Sequence, residues 1–165
     1  MGSHWMEAFR YHRWANLHLL DVCARLSAEQ LELTTPGTYG TVSATLMHMA
    51  GAEQRYVARL TDGEPAYSEK DGFPGVQPLA DLITKSTDRL TELSESMGPN
   101  PDFTAKFRDA VYRLEPGVIF VQALHHGNDH RTHICTIFGA HGIEYGDMDV
   151  WAYGEATGSL AKVSG

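Results

Sequence analysis

Nine consecutive residues, His125-His126-Gly127-Asn128-Asp129-His130-Arg131-Thr132-His133, hold four of the chain's nine histidines. In a helix, His126 and His130 lie one above the other on one face, and two imidazoles at that spacing can bind one divalent metal ion. A zinc-type catalytic site commonly takes three protein ligands and leaves a position for water or substrate. The third ligand must then come from another helix. His48 is the natural candidate, because it sits among Leu46, Met47, Met49 and Ala50, where a solvated side chain is out of place. Taken alone, His48 reads as a hydrogen-bonded core histidine. Opposite an inward-facing pair it reads as a ligand.

The neighbouring groups are weighed one at a time. His133 shares the face of His126 and His130, but seven positions span roughly 10 Å along a helix axis. Three ligands in one straight helix therefore converge poorly, and His133 is expected beside the metal, as a hydrogen-bond partner or a proton shuttle. His125 lies about 100° round the helix from His126 and is expected to pack elsewhere. His12, His18 and His141 have no partner spacing, so surface or packing roles are their default. Cys135 is turned well away from the pair and reads as a small core residue. Asp129 could orient an imidazole from behind. Arg131 could pair with Glu53 across a bundle or bind an anionic substrate; a solvated charge is the plainer reading of either flanking residue. HxxxH alone is a weak signal in a histidine-rich chain. The motif is not HExxH, since Gly127 follows the first histidine, and it is not a paired Glu-x-x-His di-iron pattern. No Ser-His-Asp order or glycine-rich phosphate loop offers a competing catalytic machine.

The elements that must position these residues follow from periodicity. A first helix is expected from about Met6 to Ser27, with Phe9, Leu17, Leu20 and Ala24 on its apolar stripe. A short turn at Ser27–Leu31 and a connector at Thr34–Gly37 come next. A second helix is expected from Thr41 or Ser43, both able to cap it, to Leu60. Residues 62–78 form the longest loop, with Tyr67 and Phe73 as anchors or as cover for a pocket. Pro78 is expected at the first position of a third helix running to Met97. Phe103, Ala105 and Phe107 alternate with polar residues, giving a small hairpin at most with Val111–Leu114. Glu115-Pro116-Gly117 opens the fourth helix, which carries the histidine cluster and closes at Gly139 and Gly142. A short terminal helix is expected within 147–154, docked by Trp151 and Tyr153. The fold class is thus all-α, a helical bundle.

Bulk properties narrow the function. A chain of 165 residues with 42% hydrophobic and 21% charged residues fits a single globular domain spanning 1–165. Its formal net charge of −8 disfavours nucleic acid as a partner. No apolar run approaches the roughly 20 residues of a membrane span, and no signal pattern opens the chain. A soluble cytoplasmic protein is expected, without a nucleic-acid or membrane partner. Cys23 and Cys135 form no disulfide framework. Met1-Gly2-Ser3-His4 resembles an expression-tag remnant, so His4 is given no role.

Three segments, in order along the chain, resemble the DinB/YfiT-like family of metal-dependent enzymes. Tyr11-His12-Arg13-Trp14-Ala15-Asn16 resembles its first-helix H-x-W-A-N segment. His48-Met49-Ala50-Gly51-Ala52-Glu53 resembles its H-I-A-x-A-E helix, and His126-Gly127-Asn128-Asp129-His130-Arg131-Thr132-His133 its H-G-x-x-H-R-x-Q helix. Asp149–Gly154 is similar to the tails of some members. The resemblance implies an up-down-down-up four-helix bundle, often a homodimer, with a three-histidine site on His48, His126 and His130 for zinc, nickel or a similar divalent ion. His133 departs from the family's usual Gln, which leaves its ligand count and proton path open. Some relatives use low-molecular-weight thiols such as bacillithiol or mycothiol as co-substrates. The leading expectation is therefore a thiol S-transferase acting on small electrophiles. A metal-dependent hydrolase, a non-enzymatic metal-binding stress-response protein and a structural dimer with vestigial histidines are the rivals.

Overall fold

The computed structural model describes residues 4–163; Met1, Gly2 and Ser3 of the tag-like stretch lie outside the described residues. Four long helices dominate: α1 (His4–Cys23), α3 (Val42–Thr61), α4 (Val76–Ser96) and α5 (Pro116–Ala140). The short α2 (Ala28–Leu31) and α6 (Val150–Thr157) and an antiparallel hairpin of β1 (Thr104–Phe107) and β2 (Ala110–Arg113) complete the chain. Local chemistry sets the ends. Thr41 caps α3 by accepting from the Ala44 N–H, and Asp62 ends it in the left-handed region at φ 53°. Ser27 and Gln30 form a capping box on α2, Pro116 occupies the first turn of α5, and Asp149 accepts from the Ala152 N–H at the start of α6.

Two apolar clusters reveal how the long helices run. One gathers Leu19 and Leu20 of α1, Leu46 and Met49 of α3, Leu79 and Ile83 of α4, and Ile134, Ile137 and Phe138 of α5. The other gathers Phe9, then Tyr56 and Leu60, then Leu90 and Leu93, then Ile119, Phe120 and Ala123. Going up the sequence, α3 and α4 pass from the first cluster to the second, while α1 and α5 pass the other way. The bundle is therefore up-down-down-up. Each fully buried Leu, Ile or Phe in these clusters contributes about 1.5–3 kcal/mol, which is why the apolar stripes decide the helix orientations.

Because α3 and α4 are parallel, the chain must return along the bundle between them. Residues 62–75 make that crossover. It is tied down by Tyr67, buried in the first cluster, and by a 3-10 turn at Glu69–Asp71.

A polar layer separates the two apolar clusters, and all four long helices enter it. Glu53 of α3 is 3% exposed, and its carboxylate accepts from His12 Nε2 at 2.8 Å and Asn16 Nδ2 at 3.0 Å. Ser86 and Thr87 of α4 donate to its other oxygen. Arg131 of α5, also buried, donates through Nη1 to Asn16 Oδ1 at 2.6 Å and to His12 Nδ1 at 3.3 Å. His12 thus stands between a cation and an anion, with Nδ1 toward Arg131 and Nε2 toward Glu53.

Several boundaries differ from the sequence expectations. The first helix stops at Cys23, because residues 24–26 turn to let Ser27 cap α2. Pro78 falls at the third position of α4, not the first, since the helix starts at Val76. Trp151 does not dock α6: it is 70% exposed. Tyr153 docks it alone, with its hydroxyl donating to Glu7 Oε1 at 2.7 Å and its ring edge-on to Trp14 and Tyr11. Among the described residues no helix is long and apolar enough to cross a membrane.

Candidate metal centre

His48 projects from α3 and His126 and His130 from the antiparallel α5, and a nitrogen of each lies within 4.8 Å of the others. The ring centroids stand 4.3 Å (His126 to His130), 4.8 Å (His48 to His130) and 4.9 Å (His48 to His126) apart. His48 Nε2 and His126 Nε2 face each other at 3.0 Å. The four-residue spacing on α5 stacks its pair, and the antiparallel packing of α3 brings His48 opposite them.

The donor set fits a divalent ion. Three imidazoles from two helices converge, and His130 Nδ1 is buried with no hydrogen-bond partner. Burial, reinforced by the neighbouring histidines, pushes the His126 imidazole down to about 3 and that of His130 to about 4. Both rings are therefore neutral near pH 7, which is the form that offers a lone pair to a metal.

Two walls of the site come from residues that no spacing pattern singled out. Tyr39, on the loop before α3, stacks on His48 at 4.3 Å between centroids and meets His130 edge-on at 5.0 Å. It is half-exposed, at 48%. Burial and the charge of Glu69 raise its phenol, so it remains protonated. Glu69, from the crossover, accepts from His48 Nδ1 at 3.1 Å and from Arg55 Nη1 at 2.9 Å. The Tyr56 ring meets His126 edge-on at 5.9 Å.

The remaining candidates fall outside the trio. His133 sits beside His130 at 5.3 Å between rings, with its Nδ1 buried and without a hydrogen-bond partner. Asp129 is exposed, and among the described residues no hydrogen bond joins it to an imidazole. Arg131 does not pair directly with Glu53; it reaches it through His12 and Asn16. Glu53 itself belongs to the polar layer and not to the trio. His125 is exposed, and Cys135 is half-buried against the first apolar cluster. His12, whose default was a surface or packing role, is the hub of the polar layer. Its four-residue spacing from Asn16 was the available signal.

A model of the DinB family matches residues 1–161. A crystal structure of a DinB-like protein from Bacillus cereus ATCC 10987 superposes with a TM-score of 0.66 at 16% identity, covering 87% of this chain and 94% of that one. At that identity the likeness speaks for the fold. A search of the curated proteins finds no match.

Proposed function

The chain belongs to the DinB family, and from that premise we propose that it is a metal-dependent enzyme, a cytoplasmic homodimer in which His48, His126 and His130 hold zinc or nickel. Its reaction is the transfer of a low-molecular-weight thiol to a small electrophile. The observation that carries this reading is the convergence of three imidazoles from two helices beneath a half-exposed tyrosine. Such a site has a ligand set bordered by aromatic rings. A divalent ion held there supplies a position that favours thiolate over thiol.

The chain's own residues have separable tasks. His48, His126 and His130 turn ring nitrogens toward one another, each within 4.8 Å of the others. Tyr39 packs against His48 and His130 and Tyr56 against His126, so two tyrosine rings border the ligand set. His133 Nδ1, without a hydrogen-bond partner and next to His130, would take up the proton released when the thiol becomes a thiolate. As the sulfur then bonds to the electrophile, either a leaving group departs with its electron pair or the electrophile's π bond opens, and the proton returns to the group that gained the electrons.

The test combines metal analysis with a screen of thiols against electrophiles. The wild-type protein is expected to carry about one metal per chain and to turn over only when a thiol is present. His126→Ala is expected to lose both properties. Turnover that survives His126→Ala would sink the mechanism, and turnover without thiol would replace transfer by hydrolysis. Bound metal with no turnover would favour storage or sensing. Light scattering at twice the chain mass of 18.2 kDa checks the dimer.

A further inference from the structure

We infer that Glu69 is a positioning residue of the metal centre, whose carboxylate holds His48 in the tautomer that turns a bare Nε2 toward His126 and His130. The inference rests on the metal-binding reading above. A neutral imidazole carries one proton. A carboxylate that accepts from Nδ1 keeps the proton there and leaves the Nε2 lone pair free. It also makes that nitrogen a stronger donor to a metal.

Three independent features place Glu69 for this task. The first is the division of labour between its oxygens: Oε2 accepts from His48 Nδ1 at 3.1 Å, and Oε1 accepts from Arg55 Nη1 at 2.9 Å. An ordinary surface pair with Arg55 would contribute little and would not need the second contact. The second is the anchoring of the turn that carries it. Ser68 Oγ accepts from the Lys70 N–H, the Asp71 carboxylate accepts from the Ser68 N–H, and the buried Tyr67 donates its hydroxyl proton to the Gly72 carbonyl. Glu69 is thus fixed from both sides on an otherwise irregular crossover. The third is the space it enters. Gly51 lies on α3 three residues after His48, and a Cβ there would stand 3.1 Å from Glu69 Cγ, Glu69 Oε1 and Arg55 Nη1. The absence of a side chain at 51 lets the carboxylate lie against the helix, within reach of His48.

Two measurements test the role, on the wild type, Glu69→Ala and Glu69→Gln. The first is zinc affinity by competition with a chromophoric chelator. The second is the ¹⁵N shift pair of His48 in metal-free protein, which reports the tautomer. Glu69→Ala is expected to weaken zinc roughly 10- to 100-fold and to move the His48 proton from Nδ1 toward Nε2. Glu69→Gln, which still offers an accepting oxygen, is expected to keep the tautomer and lose less affinity. Unchanged zinc affinity and an unchanged tautomer in Glu69→Ala would overturn the inference. Failure of the wild type itself to bind zinc would overturn the metal-binding reading instead.

Discussion

At position 127 an added Cβ would stand 2.2 Å from His12 Cε1 and 2.9 Å from its Nδ1. Helix propensity favours alanine over glycine by about 1 kcal/mol, so Gly127 is not there for the helix. It is there because the His12 ring occupies the space. His12 is 1% exposed and has nowhere to retreat without leaving Glu53. Taking a hydrogen bond from the buried Glu53 carboxylate costs about 1.5–3 kcal/mol, and overpacking the site adds about 1–3 kcal/mol, which together outweigh the propensity gain. Gly127→Ala is therefore expected to lower the unfolding free energy by about 2–4 kcal/mol. Urea denaturation checks this, and a midpoint at or above the wild-type value would refute the packing argument. The same position shows where a sequence reading falls short. Gly127 follows directly on a histidine of the trio, and its meaning is set by a ring on another helix 115 positions earlier.

At the scale of elements, α6 offers a contrast between two aromatics in one helix. Tyr153 is buried against α1 and hydrogen-bonded to Glu7, whereas Trp151 is 70% exposed. Tyr153→Ala is expected to cost about 3 kcal/mol or more, as for other buried aromatics. Trp151→Ala is expected to stay within about 0.5 kcal/mol of wild type. Thermal unfolding of both variants separates the cases; a larger loss for Trp151 would mean that α6 docks by its other face. The long helices were legible because their apolar residues recur every three to four positions and their caps are local. Thr41, Pro116 and Asp149 announce helix starts without help from the rest of the chain. The orientation of α6 was not legible, since Trp151 and Tyr153 are equally apolar by type and only packing chooses between them. Glu69 was not legible either. It sits on the crossover between Pro65 and Pro74, where no periodicity links it to His48. By contrast, His48, His126 and His130 could be singled out early, because two share a helical face and the third is a polar residue in an apolar run.

For the molecule as a whole, the polar layer makes stability depend on acid. Burial would raise the Glu53 carboxyl, but the bonds from His12, Ser86 and Thr87 outweigh it and hold the group below its ordinary value near 4.5. A carboxyl depressed in the folded state stabilises fully above its unfolded pKa, and that stabilisation fades as pH falls through the folded value. Denaturant midpoints measured from pH 7 downward are expected to hold until about the usual carboxylate range and then to fall. Glu53→Gln is expected to be less stable at neutral pH and to fall less steeply; an unchanged slope would show that Glu53 is not the acid-sensitive group.

That layer also works as a gauge. Each long helix has one place at which it meets the Glu53 carboxylate, directly or through His12 and Asn16. Sliding any of them by a single turn, about 5.4 Å, would leave a buried charge facing hydrocarbon. The polar layer therefore favours the observed alignment of the four helices over one shifted by a turn. His48 lies five residues before Glu53 on one helix, and His126 lies immediately before the glycine that admits His12 on another. Fixing the alignment at the layer fixes the height at which these histidines meet. The precision with which the three histidines meet is thus set by residues of the polar layer that lie outside the trio.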